Sequence, residues 1–387
     1  MDKKLDVWFA VVAFLIIVLG SIGGIVPGLI LLLLSFVYPP FSKDFVGEVR
    51  GTTPQKRFLP VVTFFFVLWA VLATLAAAPG SGVAWGTVLG LVVVAFPVFY
   101  AGVYAHNLDS RLVWRFFIWG AALAVAYIFY DHYVAGHRRA ELLVGCNAAA
   151  TLLLGSLGVF LAAFYREKSN YKWLYIAAVL LNVVGIIFTG SRAAWIGTIL
   201  IFGVLFWFQA KNKQIITVVL LGVLVLGAAL FTNSYWKRRF LTIFDFNINS
   251  DRINAYAVSL SMMKDNFFGV GLGNFQEAHA RYLTEEDDKE PLAHAHNIFL
   301  NFGAELGPVA FVLSVLIYGS ALYMCYKIAK VKSHFLPVGA AMLAVVVREL
   351  FDATTSGLAV AGFLWFIFGL IFAEFLKLEK SNQDARA

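Results

Sequence analysis

Two histidines one residue apart, His294 and His296, stand before Asn297 at the mouth of a long apolar run that contains one carboxylate, Glu305. An unperturbed imidazole titrates near pH ~6.5, so it can take a proton at neutral pH as a general base. The pair can also be read as metal ligands or as structural caps. The i, i+2 spacing is not the i, i+4 pattern of a helical zinc site, and no cysteine or third histidine lies nearby in the sequence. No metal is therefore expected. A base and a helix cap both stay open, with Asn297 suited to capping the run that follows. A carboxylate inside a membrane span is unfavourable unless it is paired or functional. Pairing of Glu305 with an arginine is the structural expectation. Arg348, Glu349 and Asp352, in "RELFDATTSG", are candidate partners or members of the same site.

Cationic groups form the second set. Arg192, in "TGSRAAWIG", follows Gly190 and Ser191 at a break between two apolar segments. An arginine at such a boundary can snorkel to the headgroups, but paired hydrogen bonds to an anion are the favoured use here. Lys237, Arg238 and Arg239 lie just beyond another apolar segment, a position suited to contact with lipid phosphates. Ser250 and Asp251 are expected to cap a helix whose first turn carries Arg252. Ile253, Tyr256, Leu260 and Met263 then share one face, which would lie along a membrane surface. Taken alone, Arg252 reads as a solvated charge. "GVGLGNF", at 269–275, lacks both the preceding strand and the phosphate lysine of a nucleotide loop, and reads as a turn.

The elements that must position these groups are apolar helices. The chain of 387 residues is 61% hydrophobic and only 14% charged, about half the charged fraction of an ordinary soluble domain. The expected fold is an all-α polytopic membrane protein. Its candidate spans are 7–22, 23–38, 58–78, 84–105, 113–130, 143–164, 173–189, 193–209, 214–231, 298–325, 335–350 and 357–377, twelve in all. The N-terminus imitates a signal peptide but runs straight into a second apolar stretch, so it is read as a retained span. Three parts follow: helices over 1–231, a large outer loop over 232–297 carrying short amphipathic helices, and helices plus a tail over 298–387. Lys and Arg concentrate on alternate short loops, which puts both termini in the cytoplasm. The net charge of +7 is then a matter of topology and implies no nucleic acid. Cys146 and Cys325 lie in or beside apolar segments and imply no disulfide. All the candidate groups fall on the outer side.

In order along the chain stand "TGSRAAWIG", "SDRINAYAVSLSMMKDNFFGVGLGNF" and "HAHNIFLNFGAELG". This set resembles the O-antigen ligase and polymerase superfamily of bacterial inner-membrane glycosyltransferases over roughly residues 175 to 310. It departs in carrying Ala-Ala after the arginine, where the family often has glycine first. The resemblance implies an undecaprenyl-diphosphate-linked glycan donor at the periplasmic surface of the inner membrane. By the same token Arg192 and Arg252 would hold the diphosphate and His296 would serve the acceptor hydroxyl. His294, Asn297, Glu305, Arg348, Asp352 and Arg239 would be supporting groups. The reaction would invert the anomeric centre and need no cofactor or metal. Partners would be the lipid-linked donor, a lipid A–core or other glycan acceptor, and membrane lipids. Ligase is the favoured member of the pair and polymerase the alternative. A secondary transporter with Glu305 and Arg348 as coupling charges is the remote alternative, without the inverted repeat expected of one.

Overall fold

The computed structural model describes residues 54–104, 110–141, 145–283, 290–354 and 357–384, and no strand occurs among them. The expected spans 7–22 and 23–38 lie outside the described residues. The described helices are α1 (Pro54–Ala77), α2 (Gly82–Tyr104), α3 (Ser110–Tyr133), α4 (Cys146–Arg166), α5 (Lys172–Thr189), α6 (Arg192–Phe208) and α7 (Lys213–Thr232). Three shorter or more polar helices follow, α8 (Ser234–Leu241), α9 (Phe246–Asp265) and α10 (Phe275–Ala280). Then come α11 (Ile298–Val331), α12 (Leu336–Glu349) and α13 (Leu358–Asp384). Every expected span from 58–78 onward coincides with one of these helices. Among the described residues, six helices are long and apolar enough to cross a membrane: α1, α4, α5, α7, α11 and α13.

Large apolar side chains face outward along the bundle, among them Phe64, Phe65, Leu75, Leu220, Leu224 and Phe231. Such a surface suits lipid, where helices already satisfy their own backbone polar groups. The centre is α4, whose small residues let neighbours come close. A Cβ at Gly155 would meet the Phe363 ring of α13, and one at Gly158 would meet Ala341 and the Pro337 carbonyl of α12. Small residues at a helix crossing are the usual way to gain packing where no hydrophobic drive separates protein from solvent.

Successive helices run in alternate directions. The N-terminus of α4, the C-terminus of α5, the N-termini of α6 and α11 and the C-terminus of α12 therefore meet at one end of the bundle, here called the site end. The long helix α11 is broken there by Gly307 (φ 82°) and Pro308. Proline lacks the N–H that would bind the Ala304 carbonyl. Val270 N–H donates to that carbonyl instead at 3.1 Å, Gly271 N–H to the Glu305 carbonyl at 2.8 Å, and the Trp69 indole to the Leu306 carbonyl at 2.7 Å. The glycine-rich stretch is thus a turn, as expected, and it docks on the break. Gly269 has no room for a Cβ because the Glu305 backbone fills that space.

One local expectation is corrected. Helix α9 begins at Phe246, so Ser250 and Asp251 lie within it and do not cap its start. Its buried face runs through Ala255, Ser259 and Met262, seated on α11, whereas Ile253 and Leu260 are exposed. Two residues of the expected stripe, Ile253 and Leu260, thus lie on the outside, and Met263 packs against Gly303 of α11.

Candidate functional site

The two histidines are held by what flanks them. Asn297 caps α11, its side-chain oxygen accepting from Phe299 N–H at 3.0 Å and Leu300 N–H at 3.1 Å. Its amide donates to the Leu350 carbonyl just past α12, at 3.2 Å. His296 has φ 52°, the left-handed region, where no other non-glycine among the described residues lies. That conformation costs of order 1–3 kcal/mol and persists only where the surroundings enforce it. Here His296 N–H donates to His294 Nδ1 at 3.2 Å, while the Tyr256 hydroxyl of α9 lies 3.3 Å from the His296 carbonyl and donates to Leu350 O at 2.7 Å.

Both imidazoles face one carboxylate. His294 Nε2 and His296 Nδ1 each stand 3.7 Å from Asp352 Oδ1, too far for a good hydrogen bond but within charge–dipole reach. Because His294 Nδ1 accepts a backbone proton, its own proton belongs on Nε2, toward Asp352. Asp352 favours the same arrangement for His296, with the proton on Nδ1 and the Nε2 lone pair left for another group. Burial alone would push the Asp352 carboxyl up, but the His296 imidazole and the Arg348 guanidinium outweigh it and hold it well below the usual carboxylate range. Burial keeps His294 below its ordinary value, against the pull of Asp352.

Behind them Arg348 is wholly buried, with both terminal nitrogens engaged and Nε without a hydrogen-bond partner. It donates to Glu349 Oε1 at 2.9 Å, Thr354 Oγ1 at 2.8 Å and the Asn147 carbonyl at 2.7 Å, and lies 3.4 Å from Asp352 Oδ2. The expected pairing of Glu305 with an arginine is therefore not what the structure holds. The Glu305 side chain is held by the Gly273 and Phe275 N–H groups, at the start of α10. Backbone N–H groups at a helix start satisfy a carboxylate as an arginine would. Glu305 pins the loop; it is not part of the imidazole cluster.

The arginines gather next to this cluster. Gly190 ends α5 with φ 65°, and Arg239 Nε donates to its carbonyl at 2.6 Å. Arg139 Nε donates to the neighbouring Thr189 carbonyl at 3.2 Å. A Cβ on Gly190 would stand 3.0 Å from Arg139 Nε and 3.2 Å from Arg239 Nε, so glycine leaves room for both. Arg192 donates to Thr242 O at 2.7 Å and Oγ1 at 3.0 Å. The Ala-Ala pair after it does not disturb the helix, since Ala194 and Trp195 N–H both bond Ser191 O in a regular first turn. Arg192 lies in the field of Arg252, Arg239 and Arg139, with Asp245 offsetting part of that charge. Arg252 in turn acts on His294 and Tyr256. Arg252 thus joins the guanidinium group to the imidazole group.

Of the residues expected from the sequence, Arg192, Arg239, Arg252, His294, His296, Asn297, Arg348 and Asp352 come together, and Glu305 stands apart from them. Sequence reasoning missed Arg139 and the hydroxyl of Tyr256. Arg139 had one signal, a basic residue on the side where they are otherwise sparse; Tyr256 had none. Lys237 and Arg238 are exposed. His294, His296 and Asp352 offer two nitrogens and an oxygen within 4.8 Å of one another, a set that could ligate a divalent ion. Arg348 against the same carboxylate, and Arg252 beside His294, place positive charge where that ion would sit. The donor set fits a metal; the field around it does not.

A helical, lipid-suited bundle with a cationic patch beside a pair of imidazoles at one end is the architecture of a membrane protein. Residues 177–315 match the family model described as O-antigen ligase, which supports a place in the O-antigen ligase superfamily of membrane glycosyltransferases. The matched segment holds Arg192, Arg239, Arg252, His294, His296 and Glu305, whereas Arg139, Arg348 and Asp352 lie outside it. No curated protein matches the chain.

Proposed function

We propose that the protein is an O-antigen ligase. It would take a glycan from undecaprenyl diphosphate and transfer it to lipid A–core oligosaccharide at the periplasmic face of the inner membrane, with both termini in the cytoplasm. The observation that carries this reading is the contiguity of two unlike groups through Arg252. A surplus of guanidinium charge suits a diphosphate, and an imidazole with a free Nε2 suits a hydroxyl.

In this reading Arg192 and Arg252 hold the diphosphate, with Arg239 beside them. The acceptor oxygen attacks the anomeric carbon from the face opposite the diphosphate. The new C–O bond forms as the bond from that carbon to the diphosphate oxygen breaks, and the configuration inverts. The bonding pair leaves with the diphosphate, whose charge the arginines neutralise. The acceptor proton passes to His296 Nε2 and then to water, and Asp352 steadies the imidazolium while it exists. His294 lines the approach and shares the same carboxylate.

Purified protein given a lipid-linked glycan and two acceptors, lipid A–core and a second lipid-linked repeat unit, tests the reading. Transfer to lipid A–core supports a ligase. Chain growth on the lipid-linked unit alone would make it a polymerase, and no transfer to either without an ion gradient would end the glycan reading.

A further inference from the structure

The connection from α3 to α4 carries Arg139 to the guanidinium group, and one carboxylate closes it. Asp131, in the last turn of α3, is buried. Its Oδ2 accepts from Glu141 N–H at 2.9 Å, and its Oδ1 stands 2.8 Å from His137 Nδ1. Its main-chain carbonyl accepts from His137 N–H at 3.1 Å. Arg138, Arg139 and Ala140 are the residues strung between these two anchors. Gly136, at φ 79°, makes the bend that brings the chain back, a conformation that glycine takes without strain.

The closed turn then docks on the end of α5. Ala140 N–H donates to Phe188 O at 2.8 Å, next to the Thr189 carbonyl that holds Arg139. His132 lies on the Phe188 ring, with centroids 4.0 Å apart, and its Nδ1 is 3.0 Å from His137 O. Arg139 stands in the field of Arg192 and Arg239, so repulsion works to drive it out of the group. A side chain as long as arginine also gives up rotamer freedom when it is held in one place. What opposes both is the backbone on either side of it. The Asp131 carboxylate bonds to that backbone and to His137, so it fixes the guanidinium from outside and leaves its charge to the group.

We propose that Asp131 is a positioning residue: by closing the turn at His137 and Glu141 it holds Arg139 beside Arg192 and Arg239, where the three guanidinium groups receive the donor diphosphate together. The use of the cluster rests on the donor reading above; the closing of the turn rests on the bonds of Asp131. Charges assembled during folding need no rearrangement when an anion arrives, and a site organised in advance binds better for it. A carboxylate that served stability alone would matter whether or not Arg139 were present, and the two roles separate on that point.

The test measures binding of undecaprenyl diphosphate to the purified full-length protein in detergent, together with hydrogen–deuterium exchange over residues 134–141. Arg139→Gln should weaken binding roughly 10-fold, the worth of one charge-assisted hydrogen bond. Asp131→Ala should approach that loss and speed exchange at the Ala140 and Glu141 amides. Asp131→Asn should recover most of the binding, because its oxygen can still accept from Glu141 N–H and its amide can donate to His137. In the Arg139→Gln background Asp131→Ala should add little, the non-additivity expected of residues acting through one another. Should Asp131→Ala fail to accumulate, His137→Ala makes the same test, since that side chain is 59% exposed; it must weaken binding in the parent and add little to Arg139→Gln. An equal loss from Asp131→Ala in both backgrounds, parental binding by Asp131→Ala, or unchanged exchange would each overturn the proposal. A parent that does not bind undecaprenyl diphosphate would end the donor reading and this proposal with it, whereas binding by the parent with additive variants would end this proposal alone.

Discussion

Two arginine clusters stand side by side at the site end, and they are built on opposite principles. Arg348 is sealed inside the bundle, and each of its nearest charged partners, Glu349 and Asp352, is a carboxylate. Arg139, Arg192, Arg239 and Arg252 repel one another, are only partly buried, and lean on backbone carbonyls and a threonine hydroxyl, with Asp245 the carboxylate that offsets Arg192. A buried charge with its counter-ions in place gains little from a further anion. A partly desolvated group of like charges gains free energy when an anion arrives. The first cluster organises, the second receives, and Asp352 is where they meet the imidazoles.

The largest expected effect lies on the imidazole between them. His296→Ala should lower glycan transfer by about 10²–10⁴-fold, the usual worth of a positioned base, while binding of the lipid-linked donor persists. His294→Ala should keep much of the activity. A larger loss from His294→Ala, measured on purified protein with the same donor, would move the base to the other ring.

Next come paired losses of different kinds. Arg348→Met strands Glu349 and Asp352 in the interior, and removing one partner of a buried ion pair typically costs about 3–5 kcal/mol. A clear fall in Tm is expected, with expression reduced. Arg192→Lys keeps a charge but loses the planar fork that suits phosphate oxygens. Losing one charge-assisted hydrogen bond of about 1.5–3 kcal/mol predicts transfer lowered roughly 10–100-fold at limiting donor, with Tm held. If Arg192→Lys melted early and Arg348→Met did not, the two clusters would have exchanged roles.

How much of this was legible in the sequence follows the same division. The expected spans from 58–78 onward all fall on helices, because a run of apolar residues near bilayer length leaves few alternatives. His296, Asn297, Arg192 and Arg252 could be named because polar groups at the edge of apolar runs are conspicuous. Their partners could not. Asp352 lies more than fifty residues after His296 (352 against 296), and only the packing of α11 on α12 brings the carboxylate to the ring. Glu305 misled for the converse reason. Its partners are backbone N–H groups of Gly273 and Phe275, and a backbone donor leaves no mark in a list of charged residues. The seat of α9 on α11 was not legible either, because Gly303 of α11 admits Met263 closely and a glycine leaves no mark in a hydrophobic pattern.

A finer prediction separates the two rings by pH. Burial holds His294 below its ordinary value, so it is neutral from neutral pH upward and charges only on acidification. Asp352 is held low and stays ionised across the working range. A loss of rate that comes from charging His294 should therefore lie on the acid side of neutral pH and disappear in His294→Gln. Asp352→Asn should displace that loss to lower pH, because the His294 imidazolium loses its counter-charge. Rate profiles between pH 5.5 and 9 that are the same for the parent and His294→Gln would show that the charge on this ring does not matter to transfer.

The smallest expected effect is that of a chelator. His294, His296 and Asp352 have the ligand types and the spacing of a divalent site, so geometry alone would allow one. The charges decide against it. Asp352 already answers to Arg348 at 3.4 Å, and a second cation on the same carboxylate would compete with a guanidinium that cannot leave the interior. Arg252 acts on His294 from the other side. Transfer in excess EDTA should match transfer without it, and added zinc should inhibit if it does anything, by occupying Nε2 of the base. A loss of activity in EDTA that a divalent ion restores would mean that the imidazoles serve the metal, and that the receiving cluster shares the diphosphate with it.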